Sequence, residues 1–204
     1  MNKREKNKSE LWAIILAGGE SKRMKVAKML LPFKRKTIIE KVIENVIASD
    51  VRKTMVVLGG EHKAILKVIS GLPVEHIYNG NYKKGMFSSV LCGFRSLPDD
   101  VEAVLVFQGD QPMIPSTVVN TVINAYRKSG KGIVIPVFEK KRGHPLLLDK
   151  KYRNEIEKLN PDEGLHSLAG KFQTDVLEIN VNTPEILRDI DTYEDYINEI
   201  NQNY

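Results

Sequence analysis

The feature that most constrains this chain is a repeated punctuation in which short apolar runs end in glycine. Residues 12–17 run into Gly18-Gly19, residues 54–58 into Gly59-Gly60, and residues 103–107 into Gln108-Gly109-Asp110. Such runs are too short for core helices and read as buried strands. Between them, apolar residues recur at helical spacing. Thr37-Ile38-Ile39-Glu40 is a capping box, opening a helix whose apolar face is Ile38, Ile39, Val42, Ile43, Val46 and Ile47. Ala64, Ile65, Val68 and Ile69 form a second face, and residues 74–78 a strand before Asn79-Gly80. Residues 85–97 and 118–126 read as helices and 133–137 as a strand. Strands alternating with helices imply an α/β chain: one Rossmann-like three-layer domain with a mainly parallel sheet covered on both faces. Ligands of such sheets sit beyond the carboxyl ends of the strands, where strand order reverses. The three glycine ends would lie along that edge.

At 204 residues, with no internal repeat and no linker, the chain suits a single domain over residues 11–204. Residues 1–10, where Lys3, Arg4, Lys6 and Lys8 outnumber Glu5 and Glu10, read as a mobile basic tail. The net charge of +5 calls for an anionic partner, and nucleotides and nucleic acids meet that need equally. No apolar run approaches the roughly 20 residues that span a bilayer, and the first ten residues lack the apolar core of a secretory signal. The lone Cys92 rules out an intrachain disulfide and argues against a thiolate metal site. The expectation is a cytoplasmic protein without a membrane partner. Few aromatics, and no helix-turn-helix, zinc or RNP signal, make nucleic acid the less favoured partner.

The loop after the first strand carries Lys22, Arg23, Lys25 and Lys28. Glycines let backbone N–H groups approach a ligand closely, successive N–H groups form an anion-binding concavity, and Arg and Lys add a bidentate fork and a point charge. Leu16-Ala17-Gly18-Gly19 with Arg23 and Lys28 is thus a candidate phosphate cradle. It is neither a P-loop, since Met24-Lys25-Val26 lacks the Lys-Ser/Thr step, nor a dinucleotide fingerprint, which needs three spaced glycines. Asp110, delivered by a strand end, suits Mg²⁺, which takes oxygen ligands from one or two carboxylates and substrate phosphates; a turn aspartate satisfying backbone donors fits the same letters. Gly85, opening a helix that carries Ser88 and Ser89, could present a helix N-terminus to a ligand. Thr192 and Asp195 make a capping box for a last helix. Asp189 and Asp191, two apart, would share a face if they lie in a strand.

These segments resemble the MobA-like nucleotidyltransferases, small Mg-dependent enzymes that join a nucleoside monophosphate from an NTP to a phosphate acceptor. The matching letters are Leu16-Ala17-Gly18-Gly19-x-Ser21-x-Arg23-Met24, Lys28 and Leu30-Leu31-Pro32, then Asn79-x-x-Tyr82-x-x-Gly85-Met86-x-Ser88-Ser89 and Gly109-Asp110-Gln111-Pro112. Gly143-His144-Pro145, Pro161-Asp162-Glu163-Gly164 and Asp189-Ile190-Asp191-Thr192 follow, so that the resemblance spans Leu11 to about Ile200. It implies Arg23, Lys28 and Asp110 as catalytic residues, with Leu16, Ala17, Gly18, Gly19, Asn79, Gly85, Ser88 and Ser89 joining Arg23 and Lys28 around the nucleotide. It also implies Mg²⁺ on Asp110 and Asp191, and His144 and Asp162 beside the acceptor. Departures are Lys25 for a glycine, Tyr82 for Trp, Pro161 for a glycine and His166 for an arginine. Gly-Asp-Gln-Pro, Gly-His-Pro and the C-terminal motif are most similar to the molybdenum cofactor cytidylyltransferase branch, whereas Gly18 matches the guanylyltransferase form. The resemblance therefore implies CTP and a molybdopterin-type acceptor, with product passed to a molybdoenzyme or a cofactor-insertion chaperone. The alternatives are GTP with the same acceptor, a sugar or polyol phosphate acceptor, and a non-catalytic nucleic-acid-binding protein.

Overall fold

A computed structural model describes residues 10–21, 23–24 and 26–202. The expected basic tail, apart from Glu10, and Lys22 and Lys25 lie outside the described residues. The first strand, β1 (Leu11–Ala17), is central. It pairs in parallel with β4 (Lys53–Leu58) on one side and with β6 (Ala103–Gln108) on the other. Outside β4 lies β5 (Glu75–Tyr78), again parallel. Beyond β6 the order continues through β9 (Leu146–Asp149), β7 (Ile133–Phe138) and β10 (Val176–Asn180). Only β9 runs against the rest of this path, antiparallel to both β6 and β7. The short β8 (Lys141–Arg142) pairs with β7, and β2 (Pro32–Phe33) and β3 (Lys36–Thr37) form a separate ribbon. The order β5-β4-β1-β6 reverses direction at β1, so the ends of β1, β4 and β6 share one edge, as the glycine punctuation predicts.

Alternation along β1 separates two cores. Ala13, Ile15 and Ala17 face α1 (Ile38–Ile47), α2 (His62–Ile69) and α4 (Ser116–Ser129), whose buried residues include Val42, Ile65 and Val122. Trp12, Ile14 and Leu16 face α3 (Met86–Arg95), α5 (Arg153–Ile156) and α6 (Leu165–Lys171), through Phe87, Phe94, Ile156 and Leu168. Each such residue contributes about 1.5–3 kcal/mol when fully buried. Both capping boxes form: Thr37 with Glu40 at α1, and Thr192 with Asp195 at α7 (Tyr193–Gln202). A third cluster, Phe33, Ile38, Ile190 and Tyr196, fastens α7 against the ribbon, where the Tyr196 hydroxyl donates to the Pro32 carbonyl at 2.7 Å. Glu10, grouped by charge with the tail, is anchored: its carbonyl accepts from the Glu102 N–H, and its carboxylate meets Arg52 at 2.9 Å.

Asp189 and Asp191 do not lie in a strand, so the condition under which they would share a strand face is not met. A short 3-10 turn (Pro184–Leu187) leads into an irregular segment in which Ile190 alone is buried. The backbone goes elsewhere, because the Ile190 N–H donates to the Asp110 carbonyl at 3.0 Å rather than to a neighbouring strand. The two carboxylates still flank one buried residue.

Candidate active site

The edge where β1, β4 and β6 end is held tight by backbone contacts. The Gly60 N–H donates to the Gly18 carbonyl at 3.3 Å, and the Gly109 N–H to the Leu16 carbonyl at 3.0 Å. A Cβ on Gly59 would lie 2.2 Å from the Gly18 oxygen, so a side chain there is excluded by backbone. Gly18 and Gly19 do not use the left-handed region; positive φ falls instead at Ser21 (49°) and at Gly85 (97°), the residue that opens α3. Gly18 is required for closeness, since its Cβ would sit 2.6 Å from Ser89 Oγ, whereas Gly19 faces open space.

Asp110 stands at the centre, 8% exposed. Its Oδ2 accepts from Lys28 Nζ at 2.6 Å. The same ammonium donates to Asp191 Oδ1 at 2.9 Å, and Arg23 Nη1 donates to Asp191 Oδ2 at 2.5 Å. Burial works against the Lys28 ammonium, but Asp110 and Asp191 outweigh it and raise its pKa above the usual lysine value. The hydrogen bond from Lys28 holds the Asp191 carboxyl below the usual range. Asp189 moves the other way, raised by burial and by the charges of Asp191 and Asp110. Asp110 Oδ1 is buried without a hydrogen-bond partner. A charged oxygen left unsatisfied costs free energy, and a divalent cation would satisfy it. Two carboxylates with substrate phosphates are the donor set Mg²⁺ prefers, so the residues present fit that ion. Among the described residues no cluster of three or more His, Cys, Asp or Glu forms a ready metal cage.

From this centre two spaces open. One is a cleft lined by Gly18, Gly19, Lys28, Tyr82, Gly85, Ser89 and Asp110, continuing outward past Ser21, Arg23 and Asp191. The other is a cavity of about 280 Å³ between β6, β7, α3 and α6, floored by Phe87, Val90 and Ile135 and rimmed by Arg142, His144, Asp162 and His166. Leu16, Met86 and Gln108 line both, so the two spaces share a wall. Within the cavity burial pushes the His144 imidazole down to about 4, helped by the neighbouring His166, and it is neutral near pH 7.

The expected site residues separate into three groups. Leu16, Gly18, Gly19, Gly85, Ser89, Arg23, Lys28, Asp110 and Asp191 meet around the cleft, and His144 and Asp162 meet in the cavity. Asn79 and Ser88, expected at the nucleotide, lie behind the wall instead. Asn79 Nδ2 donates to Ser88 Oγ at 2.9 Å and Ser89 Oγ at 3.0 Å, and its Oδ1 accepts from the Asn81 N–H; these bonds leave it as the brace that seats Ser89 against Gly18. Ala17 is wholly buried in the first core and lines neither space. Gln108 and Met86, present in the sequence motifs without an assigned role, line both spaces. A signal for Gln108 exists, because Val104, Val106 and Gln108 alternate onto one face of β6 and a polar residue ends an otherwise apolar series.

The MobA-like NTP transferase domain matches residues 13–176. This chain belongs to that family. Its relatives include a probable molybdenum cofactor guanylyltransferase from Methanosarcina mazei, 32% identical over 98% of this chain and 96% of the relative. Another is the molybdenum cofactor cytidylyltransferase of Escherichia coli K12, 26% identical over 93% and 95%. A nucleotidyl transferase from Methanothermobacter thermautotroptrophicus shares the fold with TM-score 0.82 at 21% identity, covering 95% of this chain and 97% of that one. The fold is that of the nucleotide-diphospho-sugar transferases, and the chain is a nucleotidyltransferase. Among the described residues no helix is long and apolar enough to cross a membrane.

Proposed function

We propose that this chain is a Mg-dependent CTP:molybdopterin cytidylyltransferase acting in the cytoplasm, forming molybdopterin cytosine dinucleotide and pyrophosphate. The carrying observation is the buried, unpartnered Oδ1 of Asp110 beside a lysine shared with Asp191. An oxygen of the acceptor phosphate attacks the α-phosphorus of the NTP as the bond to pyrophosphate breaks. No general base is needed, since the attacking phosphate is already anionic, and catalysis rests on positioning and charge neutralisation. Lys28 and Arg23 are cations held by carboxylates, and a polyphosphate competes with those carboxylates for them. Gly18 and Gly19 line the cleft without side chains, so that bound phosphates would approach their backbone closely. Asp110 and Asp191 would hold Mg²⁺, which when bound supplies charge neutralisation to the phosphate oxygens. A largely apolar cavity with a neutral histidine at its rim suits a flat heterocycle. CTP is favoured by Gly109-Asp110-Gln111-Pro112, Gly143-His144-Pro145 and the C-terminal motif.

A second reading, GTP with the same acceptor, is favoured by Gly18 and by the name of the Methanosarcina relative. Thermal unfolding with Mg²⁺ and each of CTP, GTP, ATP and UTP separates the two. A nucleotide at about 100 times its Kd adds roughly 2.7 kcal/mol, or about 5–10 °C in a chain this size. A shift with CTP alone is the expected outcome, a shift with GTP alone selects the second reading, and no shift with any nucleotide overturns both.

A further inference from the structure

The residue that joins the two spaces is Gln108. It is the last residue of β6, paired across the sheet with Leu16, and Gly109 alone separates it from Asp110. Of the residues common to cleft and cavity, Leu16 and Met86 are apolar and Gln108 is polar. Its Nε2 lies 3.3 Å from His144 Nε2. A primary amide carries two N–H donors and a carbonyl acceptor, so one contact to the imidazole leaves a second N–H on the same nitrogen for another partner, in a residue that lines both spaces. The alternatives at this position each fail for a physical reason. A lysine or arginine would pair with the open Oδ1 of Asp110, an acid would repel both substrates' phosphates, and an apolar residue would leave the His144 nitrogen without a partner. We propose that Gln108 is the positioning residue of the transfer, holding His144 with one N–H of its amide nitrogen and the attacking phosphate of the acceptor with the other N–H.

This inference rests on the proposed reading of cleft and cavity. It assigns acceptor placement, not nucleotide binding, to Gln108. The other titratable groups lining the cavity with His144 are His166 on α6, Arg142 on β8, and Asp162 and Glu163 in the loop before α6. None of them lines the cleft, so the link between the two spaces falls to the amide.

The test compares Gln108→Leu with the isosteric Gln108→Glu, using Mg²⁺, the nucleotide selected by thermal unfolding, and molybdopterin as acceptor. Gln108→Leu is expected to lower kcat or raise the acceptor KM by about tenfold or more, the usual size of a lost hydrogen bond to a charged group, while nucleotide Kd stays within about twofold. Gln108→Glu is expected to impair the acceptor similarly and to raise the His144 pKa, read by NMR titration of the imidazole, because a carboxylate beside a ring favours its charged form. Wild-type kinetics in both variants would overturn the proposal, as would parallel loss of nucleotide and acceptor affinity in Gln108→Leu. If the wild-type protein turns over no molybdopterin, the proposed function fails separately. The imidazole titration then decides the Gln108–His144 link, and an unchanged His144 pKa in Gln108→Glu overturns it.

Discussion

On one side of Gln108, cations and carboxylates face one another along a wall of glycine; on the other, Phe87, Val90 and Ile135 floor a cavity whose histidine is neutral. The cleft pairs its cations with carboxylates, Lys28 shared between Asp110 and Asp191 and Arg23 on Asp191, and leaves Asp110 Oδ1 open. A polyanion entering it exchanges partners with groups already oriented. The cavity carries little fixed charge near its floor and selects by shape and by a few polar groups at its rim. The contrast teaches that one sheet edge can present fixed charge on one side of a shared wall and a low-charge surface on the other. The separation is made by which face of β6 and β1 each residue occupies.

Three substitutions break or sharpen that contrast. Asp110→Asn removes the charge at the centre of the cleft while keeping its shape, and turnover should fall by about 10³-fold or more. Circular dichroism should be unchanged, because Lys28 retains Asp191; normal turnover would remove Asp110 from the chemistry. Gly59→Ala tests whether the cleft wall is set by closeness of backbone. With its Cβ 2.2 Å from the Gly18 oxygen, it should cost about 3 kcal/mol in urea denaturation. Gly19→Ala, which meets no atom within 4 Å, should stay within about 0.5 kcal/mol, and equal costs for the two would show the wall to be pliable.

The cavity gives an effect between those of the two glycine substitutions. His144 is depressed from 6.5 to about 4, so on acidification the unfolded chain takes up its proton first. The stability it contributes as a neutral ring is whole above about pH 6.5 and shrinks as pH falls towards 4, by at most roughly 3 kcal/mol. His144→Gln, compared with wild type by urea denaturation at pH 7 and pH 5, should flatten that part of the profile by about 1–2 kcal/mol. Identical slopes would place the imidazole in water.

Much of this was legible because the signals were local. Both capping boxes lie within four residues, and both formed. The glycine ends of β1, β4 and β6 were read as one edge and are one edge. Most of what escaped depends on distant partners. β10 is instead a missed local signal: Leu177, Ile179 and Val181 alternate with Glu178, Asn180 and Asn182 and pack against the first core, with Glu178 paired to Arg142. The antiparallel course of β9 is invisible in three leucines. Asn79 and Ser88 carry letters that suit a nucleotide, yet their hydrogen bonds go to each other and to the loop between them, which spacing does not reveal. The segment at Asp189 departs from strand form because Ile190 donates to Asp110, a partner 80 residues away in the chain.

That last bond, with the one from Lys28 to Asp191 across 163 positions, has a consequence for how the protein comes into being. At about 5–20 residues per second, the ribosome needs roughly 10–30 seconds after adding Lys28 to add its last partner. Asp110 arrives halfway, only 82 positions on, so the nascent chain can hold a lysine–carboxylate pair long before the second carboxylate exists. The ion-pair network around Lys28 is therefore finished last, by a segment that contributes nothing to the central strands.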